Sequence, residues 1–345
     1  EGLNDVGSGL LFHEGFLVPM KIIEEGSNGN VEDAASATAL PDMNFGVELE
    51  LSCASGNYQE RIASSIETHA QVDVKIGGFT GKGGKDGRGR KDGKDGKDGK
   101  GGTGFNQHDK WKLVYDKSIQ PNARNPQSLM FELVSPILTG SIGLNALSNV
   151  VAVTADVACV RVNKSMGLHV HVEARDDQYS LENTKSLAQR FLLYEDVIDS
   201  FLPYHRRTGS DKCHSFFESN ILSVMATYKT VRGSLEAVSL CQSRMQLYEL
   251  MNPGVRERYH KLNFQNLTTG RQPTIEFRQH HATKDEREIA NWVRFCVLFV
   301  ANAARMPVLM GDNIPDKKVT FDALFDDIIL CPYLREYYSK KESGL

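Results

Sequence analysis

The chain has 345 residues, 40% hydrophobic and 24% charged, with a formal net charge of −4. This balance belongs to a globular protein of one large domain or two modest ones. It gives no basic character to draw nucleic acid, and no apolar run is long enough to cross a bilayer. Six cysteines (Cys53, Cys159, Cys213, Cys241, Cys296, Cys331) are scattered without a Cys-x-x-Cys pair. Such usage predicts reduced thiols in a cytoplasmic protein. No basic-then-apolar signal segment follows Glu1-Gly2, although one removed earlier would leave no trace.

Residues 1–43 carry no sustained period and are expected to be weakly ordered, ahead of a strand at Phe45–Leu51. Tyr58–His69 has helical spacing, and Gln71–Ile76 reads as a strand. Gly77–Gly104 is a low-complexity insertion of Gly-Lys-Asp steps. Its glycine period breaks near Gly89 and it has no proline, so a solvated loop is expected rather than a collagen-like helix. Strands are predicted at Trp111–Asp116 and Leu129–Ser135, then a helix over Leu144–Ala155. Leu168–Val172 forms a strand, and Leu181–Leu202 is an amphipathic helix that Pro203 ends. The stretch from Phe216 to Met251 reads as mostly helical. Thr274–Arg278 is a strand. Thr283-Lys284-Asp285-Glu286 fits a capping box that opens another helix, and a shorter helix starts after Thr320. Strands and helices do not alternate strictly, and the cleanest strands are half polar. An α+β protein is therefore predicted, with a largely antiparallel sheet covered by helices on one face.

Three strands share one pattern: Gly46-Val47-Glu48-Leu49-Glu50-Leu51, Leu168-His169-Val170-His171-Val172 and Thr274-Ile275-Glu276-Phe277-Arg278. Side chains alternate between the faces of a strand, so each buries an apolar row and presents a pair of polar groups. Each pair also has a plainer reading. Glu48 and Glu50 suit hard cations, or are two solvated carboxylates. His169 and His171 suit a transition metal, a phosphate or an open polar surface. Glu276 and Arg278 suit a phosphate site or a mutual salt bridge. Glu132, between Phe131 and Leu133, needs a partner. Asp116 ends a strand, followed by Lys117 and Ser118. Arg206-Arg207 is either an anion contact or a basic helix end. Gln279-His280-His281 adds polar groups without a clear role. Together, several acids and one arginine on strand faces are what a magnesium–nucleotide site requires. No P-loop and no Rossmann glycine turn is present.

The blocks Phe45–Glu50, Trp111–Ser118, Phe131–Pro136, Gly167–Val172 and Thr274–His280 resemble, in order, the putative amidoligase family, carboxylate–amine ligases related to glutamate–cysteine ligase and glutamine synthetase. The resemblance implies a curved antiparallel sheet forming a half-open funnel, with helices on its outer face and ATP and Mg²⁺ or Mn²⁺ on its concave side. It implies a catalytic domain over 44–310 carrying the 77–104 insertion, followed by a helical extension over 311–345. The implied reaction passes a phosphoryl group from ATP to an amino-acid or peptide carboxylate, and an amine then attacks. Glu48, Glu50, Glu132 and Glu276 would be metal ligands. Arg278, Glu276 and Asp116 would be catalytic. His169, His171, Arg206, Arg207 and Ser118 would contact nucleotide or substrate. Thr208-Gly209-Ser210 departs from the family pattern, which has an asparagine soon after the arginine. Two other readings stay open: a hydrolase or oxygenase using a metal on the His-x-His pair, and a catalytically silent binding protein of the same fold. Neither a nucleic-acid nor a membrane partner is expected.

Overall fold

The computed structural model describes residues 39–53, 58–77, 110–116, 118–120, 128–174, 179–207, 213–215, 230–252, 259–269, 273–315 and 319–342. The N-terminal 38 residues, nearly all of the low-complexity insertion, the Thr208–Ser210 departure and the expected helix at 216–229 lie outside the described residues. All the described residues lie in one compact unit spanning 37–345.

β1 (Asn44–Cys53) is the centre of the sheet. Phe45, Val47, Leu49, Leu51 and Cys53 are all buried on one face, as the alternation of the sequence dictates. β1 pairs antiparallel with β4 (Leu129–Val134) on one side and β7 (Gly167–Glu173) on the other. The full order is β2–β3–β4–β1–β7–β9–β8, with β2 at Val74–Ile76, β3 at Trp111–Tyr115, β8 at Leu262–Asn263 and β9 at Thr274–His281. The short strands β5 (Leu138–Thr139) and β6 (Val160–Arg161) pair with the two ends of β1. All of these pairings are antiparallel except β2 with β3. The protein is thus α+β, with an open and largely antiparallel sheet.

The helices are α1 (Tyr58–His69), α2 (Gly140–Asp156), α3 (Leu181–Ser200), α4 (Val231–Leu240), α5 (Arg244–Met251), α6 (Gln265–Thr269), α7 (Glu286–Ala303), α8 (Phe321–Leu324) and α9 (Pro332–Glu342). A π-turn, Phe325–Ile329, extends α8. The apolar face of the sheet meets α3 and α7. Phe277 of β9 takes the edges of Phe191 and Phe299 at 6.1 Å each and of Trp292 at 6.4 Å. Phe201, after α3, carries the core on to Tyr338 of α9, 4.5 Å away. At the β8 edge, the Lys261 ammonium is held 2.9 Å from Glu195 and 2.6 Å from Asp199 of α3, all three buried.

Several boundaries differ from expectation for local reasons. α2 begins four residues before Leu144, because Gly140 takes a left-handed turn (φ +53°) that starts the helix inside a glycine-containing stretch. α7 is capped by Asp285, not Thr283: its carboxylate accepts from the Arg287 and Glu288 amides, while Thr283 accepts from the Asp285 amide. A carboxylate there satisfies two free donors and meets the positive end of the helix. The described part of the 216–251 stretch is two helices, and Ser243 caps the second.

The expectation of fully reduced thiols is corrected. Cys53, at the end of β1, is disulfide-bonded to Cys159, just before β6, with their Cα atoms 5.0 Å apart. The β1–β6 pairing brings the two together, although 106 residues separate them. The other four cysteines are buried and not disulfide-bonded. Among the described residues, no helix is long and apolar enough to cross a membrane.

Candidate active site

The polar rows of four strands meet on the face opposite the helices. Register puts Glu50 beside Glu132, Glu48 beside His169, and His171 beside Glu276. Directly opposed residues on neighbouring strands approach closely, so the three alternating strands converge on one patch. Two acidic groups result. Glu48, His169 and Glu276 each bring a donor atom within 4.8 Å of the others, and so do Glu50, Asp116 and Glu132. β1 supplies a carboxylate to both groups, from positions i and i+2.

The two imidazoles thread between the acids. His169 Nδ1 lies 3.4 Å from Glu48 and 3.7 Å from Glu276, and its Nε2 is 3.8 Å from Glu50. His171 Nε2 lies 3.5 Å from Glu48 and 3.9 Å from Glu276, with no hydrogen-bond partner among the described residues. The Arg278 guanidinium pairs closely with Glu276 and lies 5.6 Å from the centre of the Tyr259 ring. Asn263 of β8 donates to the other Glu276 oxygen at 2.8 Å. Asp116 is held by Ser118, whose amide and hydroxyl donate at 2.7 and 2.8 Å.

Charge balance is uneven across the patch. Burial would raise the Glu48 pKa, but His171 and His169 outweigh it and hold this carboxyl well below its ordinary range. Glu276 is likewise lowered, against burial, by Arg278 and both histidines. Burial would lower His171, yet Glu48 and Glu276 raise it to about 9. For Glu132 the one opposing cation, Arg278, is outweighed. Burial, then repulsion from Glu48, Asp116 and Glu50, pushes its pKa up to about 8. The second acid group therefore carries more negative charge than its neighbours offset, which is the condition a bound divalent cation relieves.

Of the eleven side chains singled out in the sequence, ten lie in or beside this patch. Arg206 is buried behind it. Its guanidinium donates to the Arg278 and Gln279 carbonyls at 2.6 and 3.3 Å, and the charge of Glu50 partly offsets the burial that lowers its pKa. Arg207 is placed elsewhere: it donates to Leu202 and Ser200 carbonyls at 2.7 and 2.9 Å, closing the C-terminal end of α3. That is the basic helix end which the sequence left open as the plainer reading.

Two contributors were missed. Asn263 sits between buried Leu262 and Phe264, flanked by Lys261 and Gln265, so no local pattern marked it out. Gly167 donates its amide to Glu50 at 2.7 Å. A Cβ there would lie 2.9 Å from both Arg206 Nη2 and His169 Nε2, so only glycine leaves both in place. Beside Glu48 and His171 a pocket of about 140 Å³ opens, lined by Gly46, Val134, Pro136, Ile137, Glu173 and Thr274 among others.

Two acid groups, an arginine and a pair of histidines thus share one open face of an α+β sheet. Residues 41–300 match the family described as putative amidoligase enzyme, and the chain belongs to that family. No curated protein matches the chain.

Proposed function

We propose that the protein is an ATP-dependent carboxylate–amine ligase that forms an amide or peptide-like bond through an acyl phosphate, on a sheet curved as in glutamine-synthetase-like enzymes. The observation that carries this reading is the meeting of Glu48, Glu50, Glu132, Asp116 and Glu276 on one face with Arg278 beside them. The family membership points to the same bond-forming chemistry. The crowding that raises Glu132 fits a site made for cations: Glu50, Asp116 and Glu132 would hold one Mg²⁺, and Glu48 and Glu276 another. Mg²⁺ there would neutralise the phosphate oxygens of ATP.

This chain's own groups have distinct tasks in the reading. Arg278 neutralises Glu276; were Glu276 to hold a cation, the guanidinium would be free to bind the transferring phosphoryl group in its fork geometry. His171, charged at neutral pH between two carboxylates, donates to a phosphate oxygen. Ser118 fixes the orientation of Asp116. The pocket beside Glu48 gives the carboxylate or amine substrate a place next to the reacting groups.

The test is a purified full chain with ATP, Mg²⁺ and pooled amino acids, peptides and amines. Phosphate release that needs both a carboxylate and an amine is expected. With an ¹⁸O-labelled carboxylate, one label should pass to the released phosphate. If every pool is silent and ATP–Mg²⁺ leaves the melting temperature unchanged, the reading fails. Glu48→Gln is the variant of choice, because Glu48 is more exposed than Glu276 and its loss should spare the fold. A fall in turnover of about 100-fold or more is expected.

A further inference from the structure

The pocket beside Glu48 has a chemical character of its own. Burial of Phe45, Val47 and Leu49 on the core side of β1 leaves Asn44, Gly46 and Glu48 on the other face. Gly46 pairs with His171 of β7, and with no side chain there the sheet surface is hollow. A Cβ at Gly46 would meet only the Ser135 hydroxyl oxygen, at 3.7 Å. Glycine at this position keeps space open rather than relieving a clash. The walls of the hollow are apolar, from Val134, Pro136, Ile137 and Pro273. Ile137 is 60% exposed, apolar surface that a ligand would cover.

The ionisable lining groups are Glu48, His171 and Glu173, and among the described residues no lysine or arginine joins them. His171 is engaged by Glu48 and Glu276. The Glu173 carboxylate is oriented by a short relay. The Thr139 hydroxyl donates to Asn44 Oδ1 at 2.6 Å, which turns the Asn44 amide nitrogen to donate to Glu173 at 2.8 Å.

We propose that this pocket is the amine subsite and that it admits a primary amine with a compact apolar body; naming that amine as a co-substrate rests on the ligase reading. The ammonium pairs with Glu173, which makes Glu173 a specificity-determining residue. The apolar body lies over Gly46, against Val134, Pro136, Ile137 and Pro273. Charge excludes the other substrate: a carboxylate here would face two glutamates, whereas both attract an ammonium. Size limits the body. The pocket holds about 140 Å³, and a cavity of roughly 150 Å³ accepts benzene. Glu173 and His171 are alternate residues of one strand, about 7 Å apart, so an amine anchored on Glu173 lies one step from the reacting groups.

The test uses the purified full chain without ATP, with saturating Mg²⁺ to occupy the acid face. Isobutylamine, isobutanol and isovalerate share an isobutyl group and differ in charge. Their saturable binding is compared by ligand-observed NMR. Isobutylamine is expected to bind tightest and isovalerate weakest. Glu173→Gln, which keeps an acceptor for Asn44, should weaken isobutylamine about tenfold and leave isobutanol unchanged. Gly46→Ala should weaken isobutylamine severalfold and ethylamine hardly at all, because the added methyl takes space from the body. Isovalerate binding more tightly than isobutylamine overturns the proposal, as does the absence of saturable isobutylamine binding. Isobutylamine binding that neither variant changes also overturns it, by placing the amine elsewhere. If Glu173→Gln does not fold, the ethylamine comparison in Gly46→Ala decides. No binding readout uses ATP or turnover, so the two readings fail separately. Amine binding here without any ligase activity would leave the pocket assignment standing, and phosphate release driven by amines that this pocket rejects would leave only the ligase.

Discussion

At the scale of single residues, the site is an exercise in unequal neutralisation. Glu48 and Glu276 have imidazolium and guanidinium neighbours, whereas Glu132 is crowded by Glu48, Asp116 and Glu50 with Arg278 alone opposing them. The sign of the consequence follows from proton binding. The Glu132 carboxyl ionises near 4.5 when unperturbed and near 8 in the folded chain, so between those values the folded state holds a proton that the unfolded chain has lost. Stability attributable to this group therefore falls as pH rises through that window, and the cost is complete above it. Glu132→Gln should raise the melting temperature of the metal-free protein at pH 8, with the gain shrinking towards pH 4.5. Thermal melts across that range check it; a variant less stable at pH 8 would refute it. Gly167 makes a second residue-scale case. Gly167→Ala should cost about 1–3 kcal/mol by overpacking. It should also lower turnover, because its Cβ must displace His169 or Arg206. Urea unfolding and steady-state kinetics separate the two effects.

At the scale of elements, the sheet keeps its edge near the site through one buried ionic contact. Lys261, just before β8, is held by Glu195 and Asp199 on α3, and Gln279 of β9 donates to Asp199 at 3.2 Å. These groups tie α3 to the strands that carry Asn263, Glu276 and Arg278. Lys261→Met would leave two buried carboxylates without their cation. A loss of about 3–5 kcal/mol is expected from urea unfolding, since breaking a buried pair strands its partners. A change below about 1 kcal/mol would show that the contact is dispensable. The aromatic seam over α7 is the apolar counterpart. Tyr338→Ala, which removes the ring against Phe201, should cost about 3–5 kcal/mol by the same measurement.

At the scale of the whole molecule, one covalent link closes a long loop. The Cys53–Cys159 bond spans 106 residues, so in the chain-entropy account it stabilises by about 4–5 kcal/mol. The oxidised protein should therefore show four free thiols on denaturation, and its melting temperature should fall with reductant. Cys159→Ser should melt low with or without reductant. Six free thiols in protein prepared without reductant would refute the bond.

Much of this was legible from residue order alone. Period-two alternation fixed β1, β7 and β9 and named the polar face of each, because a buried row on one side forces the other outward. Period-three-to-four spacing located α1 and α3, and the ordered blocks named the family. Tertiary structure alone decided which polar groups meet. Glu50 reaches Glu132 only because β4 pairs with β1, and Arg207 leaves the site because α3 ends beside it. The Cys53–Cys159 pairing, the glycine at 167 and the separation of His280 and His281 from Glu276 by a register shift are likewise products of strand pairing. The physical reason is common to all of them. Alternation is a local property that each strand carries in its own sequence, whereas register is set by contacts between segments far apart in the chain.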